Sequence, residues 1–249
     1  MARPVALVTG GSRGIGAATA LRLAAEGYRL CVNYVKDSSS AEHIVERVKA
    51  ESGECIAVRA DVACEQDVSA LFSRIDAEMG PLSLLVNNAA ILRPQMPLAK
   101  MSASRINKIL QTNVTGTLLC CREANMRMST DFAGRGGVIV NVSSIAATLG
   151  APGEYIDYAA SKGAVDTLTV GLAKEVAGQG IRVNAVRPGF IHTSMHADGG
   201  EPNRVERLSQ SIPLCRGGQP EEVAAAIAWL ASNESSYCTG AIIDVAGGR

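Results

Sequence analysis

Tyr158 and Lys162 stand one helical turn apart in Tyr158-Ala159-Ala160-Ser161-Lys162. On a helix that spacing puts both side chains on one face. An ammonium beside a phenol favours the phenolate and lowers the tyrosine pKa from its reference near 10. A phenol tuned downward can give a proton to a carbonyl oxygen, or take one from an alcohol, near neutral pH. Taken alone, the pair reads more simply as two surface residues. Asn141-Val142-Ser143-Ser144 alters that reading, because it ends an apolar, strand-like run. Ligands of doubly wound sheets bind beyond the carboxyl ends of the strands, where a serine hydroxyl can hydrogen-bond the same substrate oxygen. Ser143 and Ser144 are both candidates.

A second constellation lies near the start of the chain. Val5-Ala6-Leu7-Val8-Thr9 runs into Gly10-Gly11-Ser12-Arg13-Gly14-Ile15-Gly16. Glycines at a strand-to-helix junction permit a tight turn and close approach of a ligand to the backbone, and the helix N-terminus that follows favours phosphate. Placed after the first strand of a βαβ unit, the pattern predicts dinucleotide binding. No Gly-Lys-Ser/Thr follows, which disfavours a nucleotide P-loop. An NAD site usually carries an acid at the end of the second strand. That end here reads Cys31-Val32-Asn33-Tyr34-Val35-Lys36, and Asp37 falls beyond it, in a predicted loop. Arg13 and Lys36 could meet a 2′-phosphate, with Tyr34 beside them, so NADP is expected over NAD. Asp61-Val62, after the third strand, offers a carboxylate to an adenine amino group or a cap to the next helix.

The elements that must position these residues alternate in type. Strands are expected at 5–9, 29–34, 55–60, 82–87, 137–142, 181–186 and 241–245. Helices are expected at 14–26, 41–51, 65–79, 102–111, 113–129, 156–178 and 220–231. Apolar strands alternating with helices imply a parallel sheet covered on both faces, and right-handed crossovers make it doubly wound. The expectation is a seven-stranded α/β Rossmann-type sheet in a single domain over residues 1–249. Residues 190–213 break the rhythm. They are polar, glycine-containing and weakly periodic, as a lid over a binding site often is.

Composition narrows the function classes. The 249 residues carry 24 Lys and Arg against 24 Asp and Glu, so no basic excess points to nucleic acid. Hydrophobic residues make up 47%, which is too apolar for disorder, yet no run is long enough to span a membrane. The seven cysteines have irregular spacing and form no Cys-x-x-Cys pair. They read as small buried hydrophobes in a reducing compartment. The N-terminal residues lack the features of a signal peptide, so a cytoplasmic protein is expected. His192 and His196 have helical zinc spacing but no supporting ligands, so no metal is expected. Trp229 reads as packing.

With these residues in view, the sequence resembles the classical short-chain dehydrogenase/reductase family over nearly its whole length. The motifs are Thr9-Gly10-x-x-x-Gly14-Ile15-Gly16, Asn87-Asn88-Ala89, Asn113, Ser144, Tyr158-x-x-x-Lys162 and Pro188-Gly189. The resemblance implies hydride transfer to and from a nicotinamide, and often a homotetramer. It makes Tyr158 the general acid/base. Lys162 would lower its pKa and hold the nicotinamide ribose. Ser144 would orient the substrate oxygen, and Asn113 would support a water-linked proton path. Gly10, Ser12, Arg13, Gly14, Ile15, Gly16, Tyr34, Asp61, Val62, Asn88 and Ala89 would line the adenine and phosphate side. Pro188, Gly189, Ile191 and Thr193 would line the nicotinamide side.

Two departures from the family pattern matter. Asn87-Asn88-Ala89-Ala90 ends in alanine where glycine is usual, which raises a question of backbone strain. The spacing from Ser144 to Tyr158 is one residue longer than commonest, so the loop Leu149–Tyr155 should border the substrate. The expected function is therefore an NADP-preferring oxidoreductase that interconverts a carbonyl and an alcohol. The alternatives are a dinucleotide-binding sensor or scaffold without catalysis, and a cofactor-retaining enzyme of different net reaction such as an epimerase. The charged lid residues Asp198, Glu201, Arg204, Glu206 and Arg207 favour a small polar carbonyl, sugar or polyol over a steroid or long acyl chain.

Overall fold

A computed structural model describes residues 3–249. Its elements, in order, are β1 (Val5–Val8), α1 (Gly14–Ala25), β2 (Arg29–Tyr34), α2 (Ser38–Ala50), β3 (Cys55–Arg59) and α3 (Glu65–Glu78). There follow β4 (Leu82–Asn87), α4 (Ala103–Leu110), α5 (Gly116–Met128), β5 (Gly137–Val142), α6 (Ala146–Leu149) and α7 (Ile156–Val176). The last are β6 (Ile181–Pro188), α8 (Met195–Asp198), α9 (Arg204–Leu208), α10 (Pro220–Ala231) and β7 (Ile242–Val245). The seven strands form one parallel sheet in the order β3-β2-β1-β4-β5-β6-β7. Chain direction across the sheet reverses between β1 and β4, so a crevice opens beyond their carboxyl ends.

Side chains of a strand alternate between faces, and both faces here are covered. Val5 and Leu7 of β1 join a core with Leu71, Phe72 and Ile75 of α3, Cys121 and Met128 of α5 and Val176 of α7. Ala6 and Val8 join the opposite core with Leu23 of α1, Ile44 of α2 and Ile227 and Leu230 of α10. Each fully buried Leu or Phe contributes about 1.5–3 kcal/mol, so this packing fixes where the strand ends fall.

Local chemistry sets three boundaries differently from the sequence expectation. Helix α2 begins at Ser38 rather than 41, because Asp37 is its N-cap. The Asp37 carboxylate accepts from the Ser40 amide at 2.9 Å and the Ser40 hydroxyl at 2.6 Å. The two helices expected at 102–111 and 113–129 run on continuously, joined by a π-helical turn over Gln111–Thr115 that contains Asn113. The expected lid loop carries the short helices α8 and α9.

Candidate active site

The glycine turn is built from its backbone outward. Gly10 and Gly14 have φ of +60° and +52°, which a side chain would resist. At Gly16 a Cβ would lie 2.3 Å from the Gly10 carbonyl oxygen. Two asparagines weld this turn to the sheet. Asn88 Nδ2 donates to the carbonyls of Thr9 (2.9 Å) and Gly10 (3.0 Å), while Thr9 Oγ1 accepts from the amides of Asn88 and Ala89. Asn33, buried at the end of β2, accepts from the Gly10 amide at 3.3 Å and donates to the Ala60 carbonyl at 2.8 Å. The Asn88 side chain thus faces the turn and holds its shape. Sequence reasoning missed Asn33, although a lone amide in an apolar strand is a readable signal. The turn is a cradle that added Cβ atoms would fill, and it opens at the N-terminus of α1, as a dinucleotide requires.

The other residues on this side fall into place around the turn. Tyr34 is half-buried at the end of β2, and Ser12 and Ile15 flank the glycines. Thr193 packs beside Gly14, where a Cβ would meet its Cγ2 at 3.2 Å. Val62 is buried against α5, where a Cβ on Gly116 would meet its Cγ2 at 2.9 Å and its carbonyl oxygen at 3.0 Å. Asp61 does not cap α3, whose N-cap is Cys64. Its carboxylate accepts from the Ala63 amide at 3.0 Å and lies 3.8 Å from Lys108 Nζ. Arg13 leans to the lid, donating to Ser194 at 3.1 Å and pairing with Asp198 at 2.6 Å. Ala90 carries no strain, since the non-glycine residues with positive φ among those described are Ser52, Ala133, Ala151 and Cys215.

Beyond β5 the chemical groups converge. Tyr158, Lys162 and Ser144 line one cavity of about 430 Å³, together with Pro188, Gly189, Ile191 and Thr193. The two candidate serines separate. Ser143 Oγ is buried and donates to the Lys162 carbonyl at 3.2 Å, bracing α7. Ser144 faces the cavity, and its oxygen accepts from the Ala146 amide at 3.1 Å, which leaves its own proton to donate. Asn113 is buried, and its side chain clamps the backbone of Ile91 (2.8 and 3.1 Å) and donates to Ser161 Oγ at 3.1 Å. Ser161 in turn donates to the Tyr158 carbonyl at 2.6 Å. Two further anchors were not anticipated from sequence. Arg105 pairs with Asp157 at 2.7 Å, and the Asp157 carboxylate accepts from the Tyr158 amide at 2.9 Å. Asn87 donates to Asn141 and Asn141 to Thr169, both at 2.9 Å, which ties β4 and β5 to α7.

The electrostatics differ from the expectation drawn from spacing. Burial, and not the neighbouring Lys162, dominates the shift of the Tyr158 phenol. Burial pushes the phenol up to about 12, and only the Ser144 hydroxyl pulls it back. Burial also draws the Lys162 amine down to about 8, with the Asp166 carboxylate opposing. Desolvation drives each group toward its neutral form, and that moves an acid and a base in opposite directions. The Lys162 Nζ spends a proton on the Val142 carbonyl at 2.7 Å and sits 5.6 Å from the Tyr158 ring centroid. Near neutral pH Tyr158 is a protonated donor aimed into the cavity.

The lid also differs from expectation. Its arginines are paired with carboxylates: Arg204 with Glu154 (2.5 Å) and Glu201 (2.9 Å), and Arg207 with Glu201, while His192 lies 3.5 Å from Glu206. Leu92, Leu149, Phe190, Met195 and Leu208 line the cavity, together with Glu154, His196 and Arg204. The lid charge behind the expected small polar substrate is thus largely paired, and apolar side chains make up much of the cavity wall. Leu149, Ala151, Pro152, Glu154 and Tyr155 border the cavity, where the extra residue of spacing put them. His196 Nε2 is bonded to the Ile191 carbonyl at 2.9 Å.

A family model described as enoyl-(acyl carrier protein) reductase matches residues 10–249. An uncharacterized oxidoreductase of Escherichia coli K12, YgfF, is 58% identical over 98% of this chain and 99% of its own. Among solved structures, a short-chain dehydrogenase of Burkholderia cenocepacia J2315 in complex with NADP is 33% identical. It has a TM-score of 0.89 and covers 99% of this chain and 97% of that one. A 3-ketoacyl-(acyl-carrier-protein) reductase of Brucella melitensis complexed with NADH is 32% identical, with a TM-score of 0.91 over 99% and 98% of the two chains.

Proposed function

The chain belongs to the short-chain dehydrogenase/reductase family, oxidoreductases acting on the CH–OH/C=O couple, and on that premise we propose that it is an NADP-preferring carbonyl reductase. The observation that carries this reading is the convergence of Tyr158, Ser144 and Lys162 on a cavity that also reaches the residues beside the glycine turn. Gly10, Gly14, Gly16 and the first turn of α1 would hold the pyrophosphate, and Lys162, Ile191 and Thr193 the nicotinamide riboside. A bound NADPH supplies the hydride.

The protein's own residues do the rest. Ser144 donates to the substrate oxygen and stabilises the negative charge that grows there. Tyr158, kept protonated by burial, delivers its proton to that oxygen. Lys162, fixed by the Val142 carbonyl, supplies the positive charge that offsets the phenolate left behind. Asn113 and Ser161 hold the backbone at Tyr158 so that the phenol keeps its aim.

NADP preference is supported by the absence of an acid at the end of β2 and by the exposed Arg13–Asp198 pair. Such pairs contribute only about 0–1 kcal/mol, so Arg13 can exchange Asp198 for a 2′-phosphate. Residues 1–249 are read as one catalytic domain. A homo-oligomer, with a tetramer favoured, is supported by exposed Leu118 and Met126 on α5 and Val170 on α7. A cytoplasmic site is supported by seven cysteines that are all free. No observation favours an inactive sensor. The test is Tyr158→Phe: carbonyl-dependent NADPH oxidation should fall by about 10²–10⁴-fold while NADPH still binds. Retained turnover removes the proposal.

A further inference from the structure

Beside Tyr158, Ser144 and Lys162, the cavity is lined by apolar side chains such as Leu92, Leu149 and Leu208 and by a few charged ones near the lid, Glu154, Arg204 and Arg249. There Arg249 lies over the Phe190 ring, its Cζ 5.5 Å from the centroid, and donates to Ser211 Oγ at 2.5 Å. Among the described residues no Asp or Glu pairs with it. Arg204, on the same ring at 5.5 Å, is different, because Glu154 and Glu201 neutralise it. Arg13 and Arg207 likewise carry carboxylates. Arg249, exposed at the rim of the cavity, is therefore the lid-side guanidinium left with spare donors and no Asp or Glu side chain beside it, near the apolar Leu92, Leu149 and Leu208. A guanidinium fork fits a carboxylate or phosphate bidentately.

We propose that the substrate is an amphiphilic carbonyl compound, apolar in its middle and ending in a carboxylate or phosphate, with that anionic end held by Arg249. The proposal rests on the reading that the carbonyl sits at Tyr158 and Ser144. The apolar lining takes the body, and Arg249 sets which end goes in first. Arg204 is committed to Glu154 and Glu201, and so shapes the site without offering a free charge.

The experiment titrates three probes calorimetrically into protein saturated with NADP⁺: 4-acetylbenzoate, its methyl ester, and 4-acetylphenyl phosphate. In the unaltered protein an anionic probe should bind about tenfold or more tightly than the ester, as a charge-assisted contact gives. Arg249→Ala should bring that ratio near one, and Arg249→Lys should leave it between. Preference for the benzoate over the phosphate, or the reverse, tells which anion the site takes. A ratio near one in the unaltered protein, including the case in which no probe binds, overturns the inference. So does a ratio that Arg249→Ala leaves unchanged. Because binding is read and not turnover, a failure of the Tyr158 mechanism shows separately, as activity kept by Tyr158→Phe.

Discussion

Lys162→Met should make this protein more stable at neutral pH while it removes catalysis. The amine is 3% exposed and titrates at about 8 instead of 10.5. Each tenfold in proton affinity is about 1.36 kcal/mol, so keeping the charged amine in the fold at pH 7 costs about 3 kcal/mol. Methionine fills a similar volume without the charge. It leaves the Val142 carbonyl without its 2.7 Å donor, a loss of about 1–3 kcal/mol. The net gain at pH 7 is about 0–2 kcal/mol. The sign of the pH dependence follows from the two pKa values. Between about 8 and 10.5 the unfolded chain holds the proton and the folded one does not, so the unaltered protein gains stability as pH rises. The advantage of Lys162→Met should therefore shrink above pH 8 and reverse near pH 10. Denaturant unfolding of both proteins at pH 7, 8.5 and 10, without added nucleotide, measures it. A variant less stable at pH 7, or a difference that stays constant to pH 10, would refute the claim that burial strains this amine.

Gly16→Ala should weaken NADPH binding at least about tenfold, because a Cβ 2.3 Å from the Gly10 carbonyl must move the turn by about 1 Å; a dissociation constant within twofold of the original, read by fluorescence, contradicts this. Asp198→Ala should free Arg13 and tighten NADPH up to about fivefold, with NADH unmoved, as expected for release of an exposed ion pair. Equal effects on both nucleotides would count against Arg13 as the 2′-phosphate contact.

Much of the fold is legible in the sequence because buried parallel strands and amphipathic helices leave opposite periodicities. Val5–Val8, Leu82–Asn87 and Gly137–Val142 are apolar runs that end in a polar residue or glycine, and α3 repeats Val68, Leu71, Phe72 and Ile75. What escapes is set by contacts distant in sequence. The π-helical turn at Asn113 depends on Ile91 and Ser161, and neither lies nearby in the chain. Asn33 looks like any strand residue until Gly10 and Ala60 meet it. The Tyr158–Lys162 pair shows the limit most clearly. Spacing on a helix told that the two share a face, but the direction of the phenol's shift depends on how dry the wall is, and dryness is a property of packing.

The lid carries the same lesson into substrate choice. Counted along the chain, residues 190–213 are rich in charge, and charge suggests a polar guest. In three dimensions a charge acts on a guest only if it is not already answered. Glu201 takes Arg204 and Arg207, and Asp198 takes Arg13. The carboxyl of Glu201 is held down at about 2, chiefly by Arg207, so this pairing persists across ordinary pH. Paired ions close the lid and present its apolar side chains inward, as ridges of Phe190, Met195 and Leu208. In the proposed reading, specificity rests on Arg249, the arginine of the cavity wall that no Asp or Glu side chain pairs with. Adding such an acid at Ser211, by Ser211→Asp, should erase any preference for anionic carbonyl compounds without touching Tyr158. A preference that survives that change would place the discriminating charge elsewhere in the cavity.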